Sequence, residues 1–492
     1  MIETELKLLL DPKDTDKVKQ HPLLKQAKSQ QLYSIYFDTV EHDLLRNKIG
    51  FRIRHIGDER IQTLKTAGIG LGGLHTRQEW ETVITSDTPD YEQIPVEALS
   101  YLPANFNDIK PIFTTEFERI TWLLTIDNST IEVALDQGKV KTTTDNKPIS
   151  EIELELKSGS EIALYKAALQ LLDDIPFIIE NKSKAAIGYA LCKPRPLKFY
   201  KASLIKLNHD MTSEQAFIHI IWHCLQHLQA NEDMVLYGDG VEGIHQMRLA
   251  LRHLLSCLNL YKSLIPKKNY KNLYQEIKWI NSILAVARDW DVFAVNLQPI
   301  QPYYQDELAK VQSQVVAKQN NAYVQVRDML CSPRYTRILL LLGEWLLEKP
   351  WRDNLEVNTL QDLDGPVINF ANQILAARQT AIRRKDIMQL NPIQLHDLRI
   401  NIKKINYGIC FFAELYPADY THPYNKIISR LKSELGIFND ANVANDLLGQ
   451  LDLNIQVKYF LLGWYAYQQK VYIDKSKLSW QDFMELPILG ET

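Results

Sequence analysis

Over roughly the first 190 residues, apolar and polar positions alternate in short runs. IETELKLLL, GFRIRHIG, RIQTLKTAG, RQEWETVIT, FERITWLLTI, STIEVALDQGKV and EIELELKSG are seven such runs, each bounded by Gly, Asp, Asn or Pro. A period of two marks a strand with one buried face, so these runs predict an antiparallel sheet able to close on itself, with helices near 14–20 and 161–173. After about Asp210 the period lengthens to that of a helix. TSEQAFIHIIWHCLQHLQ opens with Thr212 and Gln215 at capping-box spacing, and apolar positions then recur every three or four residues. Helical patterning continues to the C-terminus, divided at prolines such as Pro266, Pro299, Pro350, Pro366 and Pro417. Between the two regimes, KPRPLKFYK (193–201) has two prolines and no periodicity, and reads as a short stiff linker. The expected organisation is α+β, with a strand domain over 1–200 and an all-α domain over 201–492.

Composition adds limits. The 492 residues are 46% hydrophobic and 24% charged, as expected of a globular chain, and 56 Lys+Arg against 60 Asp+Glu give a net charge of -4. An overall basic coat for nucleic acid is excluded. Residues 1–200 hold 25 basic and 30 acidic side chains, residues 201–492 hold 31 and 30, and eight of the 12 His lie in the second part. The five Cys form no CxxC pair and are odd in number, which argues against a disulfide framework or zinc finger and for core residues in a reducing compartment. The start, MIETELKLLLDPKD, is acidic where a signal peptide is basic. The most apolar later run, Ile338 to Leu347, is short and contains Glu344. A cytoplasmic protein without a membrane partner is expected.

Charge in the strand region recurs on one side of each strand. Glu3, Glu5 and Lys7 share a face, as do Arg52 and Arg54, Glu79 and Glu81, Glu132 and Asp136, and Glu151, Glu153, Glu155 and Lys157. On a single strand this pattern usually means a solvated face. A closed barrel turns one face inward, so the joint pattern predicts a polar tunnel in which Arg and Lys clamp a polyanion and spare carboxylates hold hard divalent cations. The ordered set Glu3-x-Glu5-x-Lys7, Arg52-x-Arg54, Lys65, Glu79-x-Glu81, Arg119, Glu132 with Asp136 and Gly138, Glu153-x-Glu155, and Ser183-Lys184 with Gly188-Tyr189 resembles the CYTH, or triphosphate tunnel metalloenzyme, family. That resemblance implies an eight-stranded tunnel that cleaves triphosphates with Mg²⁺ or Mn²⁺. It further implies that Glu3, Glu5, Glu153 and Glu155 hold metal, with Glu79, Glu81, Glu132 and Asp136 as further metal candidates. Lys7, Arg52, Arg54, Lys65, Arg119 and Lys184 would grip phosphate, and Glu3, Glu5, Lys7, Arg52 and Arg54 would be the catalytic set.

The helical region contains an internal repeat. His396 follows His245 by 151 residues, and Arg399 and Arg248, Lys403 and Arg252, and Lys404 and His253 share that offset. Two units, about 212–300 and 366–450, are expected, each projecting an imidazole and cations as one helical stripe. Arg288-Asp289-x-Asp291 and Asn439-Asp440-x-Asn442 are placed to supply orienting carboxylates. His-x-x-Arg-x-x-x-(Arg/Lys) followed by such a segment, given twice, resembles the CHAD domain, an all-helical module. The resemblance implies polyphosphate binding, here by His245, Arg248, Arg252, His396, Arg399, Lys403 and Lys404. His219, His223 and His227, four residues apart, fit a metal site less well than an ordinary helix face.

The expected whole is thus a closed antiparallel β-tunnel barrel with flanking helices, followed by a helical bundle with a two-fold repeat. The expected activity is hydrolysis of inorganic triphosphate to pyrophosphate and phosphate, with polyphosphate binding by the bundle. Thiamine triphosphatase, class IV adenylate cyclase and a non-catalytic polyphosphate scaffold are the rival readings. No Walker loop, GxGxxG turn, Ser-His-Asp set or nucleic-acid motif is present.

Overall fold

The computed structural model describes residues 2–66, 68–103, 105–300 and 305–490. They form two compact units, Met1–Leu197 with Leu330–Lys349, and Lys198–Met329 with Pro350–Thr492.

The first unit contains ten strands: β1 (Ile2–Leu10), β2 (Lys28–Asp38), β3 (Gly50–Ile56), β4 (Glu59–Lys65), β5 (Ile69–Leu71), β6 (Leu74–Ile84), β7 (Lys110–Ile126), β8 (Ser129–Lys141), β9 (Asn146–Ser158) and β10 (Phe177–Ile179). Pairing runs β1-β9-β8-β7-β2-β3-β4-β6, and β6 returns to β1. Every pairing is antiparallel, so the eight strands close into a barrel with no free edge. β10 and β5 pair with β1 and β6 from outside the circuit. Within the eight-strand circuit, the strand that the alternation does not reveal is β2. Its two faces carry Leu32, Ser34 and Tyr36 on one side and Tyr33, Ile35 and Phe37 on the other, so neither face is plainly polar.

The outer faces are covered as well as the inner ones. Leu6, Leu8, Ile152 and Leu154 are fully buried, and the helix Ile162–Leu172 packs over β1, β7, β8 and β9. Phe37, Phe51, Ile53, Leu64 and Ile84 form a second core with Ile94, Ala98 and Ile109. Gly138 on β8 approaches Phe117 of β7 so closely that a side chain there would run into the neighbouring backbone. The helix Pro333–Glu348 lies far along the chain, inside the span expected to belong to the helical domain, yet it packs with the barrel unit, on Ile162–Leu172 and β10. Gly343 faces the Tyr165 ring, Thr336 donates to the Phe177 carbonyl at 3.1 Å, and Arg337 pairs with Asp173 at 2.7 Å. No periodicity in sequence can report such docking.

The second unit is helical. Ser213–Gln229 starts at Thr212, whose side chain accepts from the Gln215 amide while Gln215 caps in return. Val241–Leu260 packs on Ser213–Gln229, Lys271–Leu297 and Pro392–Phe412, and Pro392–Phe412 packs on Ala418–Leu448. A core of Trp290, Phe293, Leu297, Leu308, Leu447, Leu448, Leu461 and Tyr465 joins the helices Lys271–Leu297, Gln305–Leu330, Ala418–Leu448 and Ile455–Glu485. Cys224 and Cys257 are core residues as expected, whereas Cys192 is half-buried and Cys331 and Cys410 are exposed. Among the described residues, no helix is long and apolar enough to cross a membrane.

Candidate functional site

Strand register brings the charged positions of the barrel together. Paired residues on neighbouring strands point to the same face, and the pairs Lys7 with Glu153, Glu5 with Glu155, Glu132 with Glu155, Asp136 with Glu151, Lys65 with Glu79 and Arg119 with Asp136 place them all inside. The interior divides into three neighbourhoods.

In the first, Asp136, Glu151 and Glu153 each offer an oxygen within 4.8 Å of the others. Three cations hold them. Lys184 lies 2.6 Å from Asp136 and 3.0 Å from Glu153 and also pairs with Glu151. Arg119 grips Asp136 through two bonds of 2.7 and 2.6 Å and reaches Glu153. Lys7 bonds Glu153 and lies 3.5 Å from Glu151. Burial disfavours every charge here, but the pairing prevails: Asp136 and Glu153 are held below the usual carboxylate range, and Lys7, Lys184 and Arg119 rise above their ordinary values. Lys184 owes its place to Ser183, whose hydroxyl accepts from the Ala186 amide and starts the helix Lys184–Cys192. That helix packs against β7, β8 and β9, with Gly188 against the Phe113 ring and the Tyr189 hydroxyl on buried Asp38 at 2.9 Å.

The second neighbourhood joins β1, β4 and β6. Lys65 lies 2.9 Å from both Glu3 and Glu79, Arg77 donates to Glu3 at 2.9 Å and also to Glu5, and the Thr63 hydroxyl lies 3.2 Å from Glu81. Burial works against ionised Glu3, yet Lys65 and Arg77 hold it well below the usual range. Glu79 moves the other way. Burial raises it, the nearby Glu3 adds to the effect, and Lys65 and Arg52 only partly offset it. Glu155 is likewise raised by burial, with Glu3 and Glu132 adding and Lys157, at 2.7 Å, opposing. Glu5, Glu155 and Glu132 stand in a row across β1, β9 and β8. Lys157 also lies 3.5 Å from Glu132.

The third neighbourhood is cationic. Arg52 and Arg54 sit two apart on β3 beside Tyr36. Arg52 is 9% exposed, its nearest carboxylate is Glu79 at 3.8 Å, and its Nε has no partner among the described residues. Arg54 donates to the Ser34 hydroxyl at 3.4 Å and has no ion pair among the described residues. Burial, with Arg52 and Arg119 adding, lowers Arg54 to about 10. Burial alone would raise the Tyr36 hydroxyl, but the two arginines bring it below its ordinary value.

These surroundings bear on where a divalent cation fits. The closest carboxylate cluster, Asp136 with Glu151 and Glu153, is already neutralised by three buried cations. Glu79 and Glu155, raised by burial and by neighbouring carboxylates, are offset only in part by the protein's own cations, whereas Glu3 and Glu5 beside them are paired with Lys65 and Arg77. Sequence reasoning overlooked Arg77 and did not place Glu151 in the site. Glu151 continues the Glu-x-Glu alternation and was legible, whereas Arg77 stands in the same alternation as Glu79 and Glu81 but carries the opposite sign.

In the helical unit, Arg248 donates to Asp289 at 2.8 Å and to the Ala285 carbonyl at 3.1 Å. Arg252, Arg399 and Lys403 lie within one another's fields and that of Asp440. Burial lowers all three, neighbouring cations add to it, and Lys403 falls to about 7. Burial raises Asp440 despite Arg399 and Lys403. His245 is lowered by burial and then by Arg288, and His396 is half-buried on the same helix as Arg399. Lys404 does not join this group. Consecutive helical residues point about 100° apart, and Lys404 instead feels Arg378 and Lys262 after burial. The expected single stripe is therefore split. His253 lies against Tyr407 and Phe411, and burial lowers it to about 3, so it serves as a neutral core ring. Asp291 is taken by Tyr323 at 2.6 Å and Gln319 at 2.8 Å, and the side chain of Asn439 falls outside the described residues. His227 is engaged by the Tyr200 carbonyl and Gln246, both at 3.0 Å. Among the described residues, no metal-ligand cluster forms around His219, His223 and His227.

A closed eight-stranded barrel lined by cations and carboxylates, and a helical unit with gathered cations, define a two-module protein. Residues 1–189 match the CYTH domain model and residues 219–449 the CHAD domain model, so the chain is a CYTH domain followed by a CHAD domain. It is 36% identical over 194 residues to an inorganic triphosphatase of Haemophilus influenzae, covering 38% of this chain and 54% of that one. The chain thus spans about half the length of that relative. It is 24% identical over 453 residues to an uncharacterized protein of Mycobacterium tuberculosis, covering 87% of this chain and 83% of that one. Among solved structures, the CHAD domain from the plant Ricinus communis is similar at 29% identity and a TM-score of 0.51, covering 59% of this chain and 97% of that one.

Proposed function

We propose that the barrel hydrolyses a triphosphate, with inorganic triphosphate as the substrate and pyrophosphate and phosphate as products, and that the helical unit binds polyphosphate. The observation that carries the first part is Arg54, a buried guanidinium on β3 with no ion pair among the described residues, beside Arg52 on the same face, whose carboxylate Glu79 lies 3.8 Å away. A buried cation without a counter-charge is costly, and an anion in the barrel removes that cost. Lys7, Arg119 and Lys184 would extend the grip along the substrate, oriented beforehand by Asp136, Glu151 and Glu153. Lys65 would complete it from β4. Glu3, Glu5, Glu79 and Glu155, with Glu81 and Glu132 nearby, would hold Mg²⁺ or Mn²⁺. Such a cation, when bound, neutralises developing charge on the phosphoryl oxygens and helps generate the attacking hydroxide. The protein's own share is placement: phosphoryl transfer asks for fixed charges and an in-line water rather than covalent chemistry by side chains.

Arg248, Arg252, Arg399 and Lys403, whose mutual fields and burial lower three of them, support the second part. A polyanion would relieve that repulsion. The similarity of the barrel to the Haemophilus inorganic triphosphatase favours an inorganic substrate over a nucleoside or thiamine triphosphate. The test is phosphate release from tripolyphosphate, ATP and thiamine triphosphate with Mg²⁺ or Mn²⁺, against a Glu5→Gln control. The expected result is metal-dependent release from tripolyphosphate, reduced by at least about 10²-fold in the variant. Release no greater than in the control defeats the hydrolase reading.

A further inference from the structure

Arg77 has no assigned role, and its position suggests one. It stands on the inward face of β6 opposite Glu3, while His75 stands opposite Glu5. One guanidinium spans both carboxylates of β1: Nε donates to Glu3 at 2.9 Å, and Nη2 bonds Glu5. Glu3 has a second cation, Lys65 at 2.9 Å. For Glu5, Arg77 is the ion-pair partner among the described residues. The side chain of Arg77 is 14% exposed and that of Glu5 4%, so the pair is screened little by solvent. The oxygens that would bind a hard cation are thus the ones Arg77 already occupies, and two positive groups cannot both claim them at short range.

We propose that Arg77 is an exchangeable counter-ion of the Glu3–Glu5 pair: it neutralises these carboxylates in the metal-free barrel, yields them to the divalent cation, and then faces the substrate phosphates as an added cation. The assignment rests on the reading of Glu3 and Glu5 as cation holders. It gives the two buried glutamates a shared counter-ion before metal arrives. It also makes a prediction that a merely structural arginine would not: removing it should improve one kind of binding and impair the other.

The experiment is calorimetric titration of the full chain with Mn²⁺ alone at pH 7.5, with no substrate present, followed by tripolyphosphate kinetics. Arg77→Gln is expected to bind Mn²⁺ about tenfold more tightly than the unaltered chain while its KM for tripolyphosphate rises. Arg77→Lys, which reaches only one carboxylate, should tighten Mn²⁺ binding to an intermediate degree, and it carries the test alone if Arg77→Gln fails to fold. Equal or weaker Mn²⁺ binding in a variant with an unchanged circular-dichroism spectrum overturns the assignment. Tighter Mn²⁺ binding with no tripolyphosphate turnover in any form, including the unaltered chain, upholds the counter-ion and overturns only the hydrolase reading.

Discussion

The barrel interior and the cation cluster of the helical unit use the same residue types under opposite electrostatics. In the barrel, Lys7, Lys184, Arg119 and Arg77 each meet carboxylates at hydrogen-bonding distance, and their charged forms are favoured despite burial. In the helical unit, Arg252, Arg399 and Lys403 face one another with Asp289 and Asp440 as the nearby counter-charges, and their charged forms are disfavoured. The first arrangement is organised before any ligand arrives, as catalysis of phosphoryl transfer requires. If the second binds a polyanion as proposed, relief of its repulsion would add to the binding energy.

The sharpest way to break this comparison is to remove one cation from each region. Lys7→Met leaves Glu153 and Glu151 with one fewer partner in a buried network, and it should destabilise the barrel unit by about 3–5 kcal/mol. Arg252→Met removes a repelled charge, so it should leave stability unchanged or raise it by up to about 1 kcal/mol. Denaturant melts of the two variants check both signs. If Arg252→Met destabilises as strongly as Lys7→Met, the helical cluster is a structural network like the barrel's.

A smaller effect concerns binding. Arg252→Met combined with Arg399→Met should weaken polyphosphate binding by about tenfold or more and flatten its salt dependence, as calorimetry at several salt concentrations would read. The smallest effect is on pH. Lys403, lowered to about 7 by burial and by Arg252 and Arg399, loses its proton in the free protein as pH rises through that value. A bound polyanion raises it again, so above about pH 7 binding takes up a proton and affinity falls as pH rises. Titrations in buffers of different ionisation enthalpy at pH 8 should show this uptake, and Lys403→Met should abolish it. For stability the sign is reversed: the unfolded chain binds more protons between about pH 7 and the ordinary lysine value, so this residue's contribution improves as pH rises through that window.

How much of this was legible depended on whether the signal was local. The Glu3-x-Glu5-x-Lys7, Arg52-x-Arg54 and Glu153-x-Glu155 patterns could be read because side-chain direction in a strand has a period of two, and closure made their shared face an interior. Thr212 and Gln215 form the expected cap because capping is decided within one turn. Three features could not be read this way. β2 was missed because Tyr and Ser blur its two faces. The helix Pro333–Glu348 joins the barrel unit through Gly343 and Tyr165, a contact set by packing across distant sequence. Lys403 and Lys404 part company because one step along a helix is enough to change neighbours, which spacing rules for i and i+8 conceal. The sign and strength of each pairing also needed coordinates, since alternation shows which residues share a face but not which carboxylate each cation takes.

The most direct test of the account is phosphate release from tripolyphosphate with Mg²⁺, measured side by side for the unaltered chain, Arg54→Met, and the Arg252→Met/Arg399→Met pair. The expected results are turnover by the unaltered chain, a loss of about 10²–10³-fold in Arg54→Met, and near-normal turnover in the helical variant. Absence of release from the unaltered chain, or loss of turnover in the helical variant with Arg54→Met still active, would contradict it.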